Sequence, residues 1–164
     1  MSRFFPLMGA IAVAAFATAA AHAHSPEKHT HGVEPERTDF GQQGDPKKPA
    51  RTIEVAMREL DDGKMLFVPD RVEVRKGEQI RFVLTNEGQF NHEFILGTER
   101  DLMAHAVAMK ANPHMEHDDA HSKLVAIYMT DELLWQFTKA GEFKFACLIP
   151  GHLERGMIGT ILVK

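Results

Sequence analysis

The sequence predicts an all-β fold, a Greek-key β-sandwich or barrel interrupted by one short helix, and three observations carry that prediction. Apolar residues recur at every second position through much of residues 51–164, as expected of half-buried strands. Glycine-containing turns separate these runs at short intervals. One segment alone, Glu99 to Ala111, changes to helical spacing, with apolar residues at 102, 106 and 109.

Taken in order, the chain of 164 residues opens on Arg3, the apolar stretch Phe4 to Ala20, and Ala21-His22-Ala23. This is the pattern of a secretory leader with a small-residue cleavage site. A cut after Ala23 makes His24 the first mature residue; a cut after Ala21 makes it His22. Residues 24–50 carry His24, His29 and His31 with four prolines and few large apolar residues. That composition predicts a flexible tail, because little burial is on offer to offset ordering entropy. The folded domain is expected over residues 51–164.

Within that domain Ile53, Val55 and Met57 alternate with polar residues, followed by Val72 and Val74, then Ile80, Phe82 and Leu84 beyond the turn at Gly77. Phe94 and Ile95 follow a bend at Gly88. Leu133, Trp135 and Phe137 alternate up to Gly141, and the last two strands are Phe143 to Cys147 and Ile158 to Val163. Seven or so short strands in this length indicate a sandwich or barrel. The helix ends at Asn112-Pro113, and "HMEHDDAH" after it reads as loop.

Charge and composition narrow the function. The net charge of -4 becomes -5 when Arg3 leaves with an acid-free leader, which argues against nucleic acid as a partner. Beyond the leader, charge, glycine or proline breaks every apolar run, so no later span and no membrane association of the mature chain is expected. Export to the periplasm would place the single cysteine, Cys147, where thiols usually pair. It has three readings: an inert buried residue, an intermolecular disulfide, or a metal ligand.

Its neighbours favour the last. In "CLIPGHLERGM" His152 follows five residues after Cys147, and Met157 five residues later, in a loop stiffened by Pro150 and kept close by Gly151 and Gly156. Thiolate, imidazole and thioether together select copper, and two histidines, one cysteine and a weak axial methionine make the type 1 arrangement. The missing histidine is expected to be His92, at the start of the strand in "NEGQFNHEF"; His105, His114, His117 and His121 fall in the insertion.

The loop resembles the ligand loop of the cupredoxins, with the long "CLIPGH" spacing of the rusticyanin and auracyanin type. The wider pattern is "NHEFILGT", an insertion containing "MEHDD", then "LLWQFTKAGEFKFACLIPGHLERGMIGTILV". Over about Ile53 to Lys164 it resembles the periplasmic copper-tolerance cupredoxins. The resemblance implies a Greek-key sandwich holding one type 1 copper, a role in protecting the periplasm from copper, and His92, Cys147, His152 and Met157 as ligands. Two departures stand out. Glu93 occupies the position after the first histidine where many electron-carrier cupredoxins have asparagine, and "KLVAIYMTDEL" lacks the expected proline-glycine turn.

Secondary copper sites are expected from the tail, through His24, His29 and His31, and from the insertion, through Met103, His105, Met109, His114, Met115, His117 and His121. The alternative is that the methionines pack the helix and the histidines are solvated. An enzyme is not expected: copper oxidases and nitrite reductases route electrons through a histidine beside the cysteine, where this chain has Leu148, and a binuclear centre needs two cysteines. The competing function is a single-copper electron carrier, docking a periplasmic redox or copper-transfer protein through Leu148, Ile149 and Leu153.

Overall fold

A computed structural model describes residues 1, 35–113, 115 and 119–164 of the chain. The chain divides into two units, Met1–Gly32 and Val33–Lys164. The expected leader and the histidines at 24, 29 and 31 lie outside the described residues, as do His114 and His117.

The second unit contains β1 (Gly41–Gln43), β2 (Arg51–Glu59), β3 (Met65–Val68), β4 (Arg71–Val74), β5 (Gln79–Asn86), β6 (His92–Gly97), α1 (Glu99–Ala111), β7 (Ser122–Val125), β8 (Thr130–Phe137), β9 (Gly141–Ala146) and β10 (Ile158–Val163). They form two five-stranded sheets, ordered β1-β8-β5-β2-β3 and β4-β10-β9-β6-β7. Two of the pairings are parallel, β2 with β5 and β10 with β4, and the rest are antiparallel. The all-β sandwich predicted from the alternation is the observed fold.

Period two accounts for the main core. Val55, Met57, Phe82, Leu84, Trp135 and Phe137 of one sheet and Val72, Val74, Phe94, Phe145 and Ile161 of the other are buried in a single cluster. Phe94 stacks on Phe145 with ring centroids 5.0 Å apart. Such aromatic pairs add directional preference to the area they remove from water.

The helix occupies the residues expected of it and lies between β6 and β7. Thr98 caps it, accepting a hydrogen bond from the Asp101 N–H at 3.2 Å. Leu102, Ala106 and Met109 join Ile95, Ala146 and Leu148 in a second buried cluster. All six residues of β6 are consequently buried, because the core covers one face of this strand and α1 the other. Met109 is 2% exposed and Met115 packs against the same cluster, so both serve packing here; Met103 is exposed.

Three features depart from expectation. The folded unit begins before residue 51: β1 pairs with β8, and Phe40 lies in the core between Trp135 and Phe143, at 5.5 and 5.2 Å between centroids. A lone phenylalanine in a polar stretch gave no periodic signal. The strands β3, with the sequence MLFV, and β7, with SKLV, show no apolar–polar alternation, so period two does not reveal them. Finally, the turn between β7 and β8 is made without proline or glycine, by Tyr128 at φ 58° with the Met129 N–H donating to Ala126 O at 3.0 Å.

Candidate metal centre

The metal-ligand candidates come from two elements at one end of the sandwich. His92 opens β6, while Cys147 follows the last residue of β9, and His152 and Met157 lie in the connection to β10. Backbone hydrogen bonds hold this connection closed: Cys147 N–H donates to Met157 O at 3.1 Å, His152 N–H to Ile149 O at 3.0 Å, and Met157 N–H to His152 O at 3.2 Å. Gly156 turns the chain at φ 95°, a conformation that disfavours residues with a Cβ. Outside the loop, Lys110 of α1 pairs with Glu154 at 2.5 Å.

Side chains converge accordingly. His92 Nδ1 and His152 Nδ1 stand 3.2 Å apart, and Cys147 Sγ is 3.3 Å from His152 Nδ1. These three donor atoms lie within 4.8 Å of one another, and all three residues are buried. Met157 is fully buried, and its backbone is hydrogen-bonded to those of Cys147 and His152. The Glu93 N–H donates to Cys147 Sγ at 3.3 Å, a bond suited to a thiolate. Two imidazoles and one cysteine sulfur, with a buried methionine in the same loop, match the donor types of a type 1 copper site, and the residues present fit that metal.

Burial disfavours charge on the metal-free site. Burial pushes the Cys147 thiol up to about 12, against the opposing pull of the Glu93 and Ile149 N–H groups. Burial, helped by the neighbouring His92, pushes His152 down to about 4. At neutral pH the metal-free site therefore holds a thiol and a neutral imidazole, and a bound cation would replace the thiol proton.

Glu59, a residue the sequence pattern did not single out, completes the arrangement. Its Oε1 accepts from His92 Nε2 at 2.6 Å, and its Oε2 accepts from the Gln89 N–H at 2.7 Å. Burial pushes this carboxyl upward, but the Gln89 N–H and His92 outweigh it and hold Glu59 below its ordinary value. With Nε2 donating outward, His92 Nδ1 keeps its lone pair toward the site. Gly88 makes room, since a Cβ there would overlap the Glu59 carboxylate.

Asn86 braces the segment that leads to His92. Asn86, at the end of β5, donates from Nδ2 to Phe90 O at 2.7 Å and Val125 O at 3.1 Å, and its Oδ1 accepts from the Gly88 N–H at 2.9 Å. It pins the loop before His92 to β7. Of the expected docking residues, Leu148 is corrected, being 2% exposed beneath α1, while Ile149 and Leu153 are half-buried. Phe90, by contrast, is 52% exposed and stands edge-on to His152 at 6.2 Å.

Of the insertion residues, His105 lines a cavity beneath α1. His121 turns away from the copper-ligand candidates toward Glu36.

The fold of the described residues and this donor set define a copper protein of the cupredoxin class. The chain belongs to the plastocyanin/azurin family of copper binding proteins, whose model matches residues 54–164. It is 45% identical to the copper-resistant cuproprotein CopI of Rubrivivax gelatinosus, over 90% of this chain and 81% of that one. Identity to the protein of the same name from Pseudomonas aeruginosa is 36%, over 76% and 82%. Among solved structures, auracyanin B superposes with a TM-score of 0.61 at 18% identity, covering 76% of this chain and 96% of its own; that likeness concerns the fold.

Proposed function

We propose that this protein protects the exporting cell from copper by binding it in the periplasm, with His92, Cys147, His152 and Met157 as the type 1 ligands. The observation that carries the reading is the buried convergence of His92, Cys147 and His152. The similarity to copper-resistant cuproproteins along most of the chain supports the physiological role. We infer a binding role and no catalytic one, since Leu148 stands where copper oxidases place an electron-routing histidine. His24, His29, His31, His114 and His117 would add capture capacity at high copper.

Copper titration followed by absorption and EPR tests the site. The first equivalent should give an intense visible thiolate-to-copper band, and Cys147→Ser should abolish it. His92→Gly should lose the spectrum and recover it with added imidazole; recovery in His105→Gly instead would sink the assignment of His92. In a copper-sensitive strain lacking its own copy, the wild-type protein should restore growth on copper and Cys147→Ser should not. Unimpaired tolerance with Cys147→Ser, together with binding of a single equivalent by the wild type, would favour the electron carrier. Phe90 beside His152 would then serve as its docking contact.

A further inference from the structure

A second group of metal-ligating side chains lies away from the type 1 ligand candidates. Glu36, Asp119 and His121 place one donor atom each within 4.8 Å of one another. Glu36 precedes β1, whereas Asp119 and His121 lead into β7, so donors 83 and 85 residues apart in sequence meet at one place. His121 Nδ1 and Glu36 Oε1 are hydrogen-bonded, and Glu36 Oε2 accepts from the Ala120 N–H. The Glu36 carboxylate is thereby aimed at the imidazole by a backbone anchor.

Two further observations point to a cation. A cavity of about 170 Å³ opens beside the group, lined by Asp119 and His121 and also by Asp39, Asp101 and His105. It adds three potential nitrogen or oxygen donors and has room for the ion's own water. His121 and Glu36 retain 23% and 31% side-chain exposure, which leaves an ion a route in while shielding it partly from solvent.

We propose that Glu36, Asp119 and His121 form a second copper site selective for Cu(II). One imidazole and two carboxylates are borderline and hard donors, and the set has no thiolate or thioether to favour Cu(I). Among common divalent ions the same ligands bind Cu(II) most tightly. Leu96 N–H donates to His121 O at 3.0 Å, four residues along β6 from His92. At about 3.3 Å per residue the two sites are roughly 13 Å apart along the strand, too far to share a ligand.

The second site does not depend on the type 1 assignment, and either can fail alone. The test loads the full-length mature protein with one equivalent of Cu(II) and then adds a second. EPR should show a new signal with the wide copper hyperfine splitting of a thiolate-free site, without a new visible band. Emission of Trp135, the only tryptophan, should fall in the same step, because its ring lies 5.9 Å from that of His121. Glu36→Gln and His121→Gln should each weaken the second equivalent at least tenfold while leaving the visible band and the far-ultraviolet circular dichroism intact. Replacing His24, His29 and His31 together should leave that signal and its quenching in place. A second signal unchanged in Glu36→Gln and His121→Gln, or lost only with the tail histidines, would overturn the proposal. Displacement of the second copper by equimolar Zn(II) would overturn its selectivity.

Discussion

Glu59 shows how one carboxylate can act on a metal site through a candidate ligand. Its 2.6 Å contact with His92 Nε2 fixes which imidazole nitrogen faces the site and adds negative charge behind it. Glu59→Gln keeps a hydrogen-bond acceptor but removes the charge. Copper affinity should fall about 10–100-fold, the usual cost of altering such a partner, with a higher reduction potential; unchanged affinity by competition with a chromophoric chelator would refute this role. Proton release gives a second prediction. Cys147 is held up to about 12 and His152 down to about 4 by burial. Between those values binding displaces one proton from the thiol and none from His152. Apparent affinity should then rise about tenfold per pH unit near neutrality from this group alone, and fall more steeply below about pH 4 as His152 also binds a proton. Calorimetry in buffers of different ionisation enthalpy measures the released proton directly.

At the scale of elements, β9, its following loop and β10 act as one unit. Ile158 pairs with Ala146 and Gly159 with Phe145, so the ladder brings the loop ends together and places Met157 across from Cys147. Gly159 is required by close approach: a Cβ there would overlap the Phe145 ring and come within 2.7 Å of Asp70 O. Gly159→Ala should destabilise the protein by about 1–3 kcal/mol, as overpacked cores do, seen as a lower denaturation midpoint in chemical unfolding. Glu78 makes a comparable link outside the site, accepting from Arg51 Nε at 2.7 Å and the Arg75 N–H at 2.8 Å. The Arg51 hydrogen bond, chiefly, lowers its folded pKa. Its stabilisation is therefore present above the unfolded glutamate value and lost as pH falls through the folded one.

Across the whole molecule, two apolar clusters share the sheet that bears the type 1 candidates. One fills the space between the sheets, and the other lies under α1. The ladder from β6 through β9 to β10 separates them, with Phe145 and Cys147 facing one cluster and Ala146 and Leu148 the other. The helix thus seals the outer face of the strands that carry the candidates. Met109→Ala should cost about 2–5 kcal/mol, the range for emptying a buried site. Met103→Ala, at an exposed position, should stay within about 0.5 kcal/mol. Equal effects in thermal or chemical denaturation would mean that α1 does not pack as a cover.

The sequence by itself determined the elements whose chemistry is local or periodic. Alternation at Ile53–Met57, Ile80–Leu84 and Leu133–Phe137 predicted strands because one face of a sheet must be apolar. The spacing from Cys147 to His152 to Met157 predicted a copper-binding loop because a short closed turn keeps its donors close. Tertiary structure decided whatever depends on distant chain segments meeting. Phe40 joins the core only because β1 adds to the edge of β8, and Met109 serves packing only because α1 folds back over β6. Glu59 reaches His92 across 33 residues, and Glu36 reaches His121 across 85. Neither carboxylate differs in sequence from its solvated neighbours. Each acquires its partner through strand pairing and chain return, and no local pattern of residues encodes that proximity.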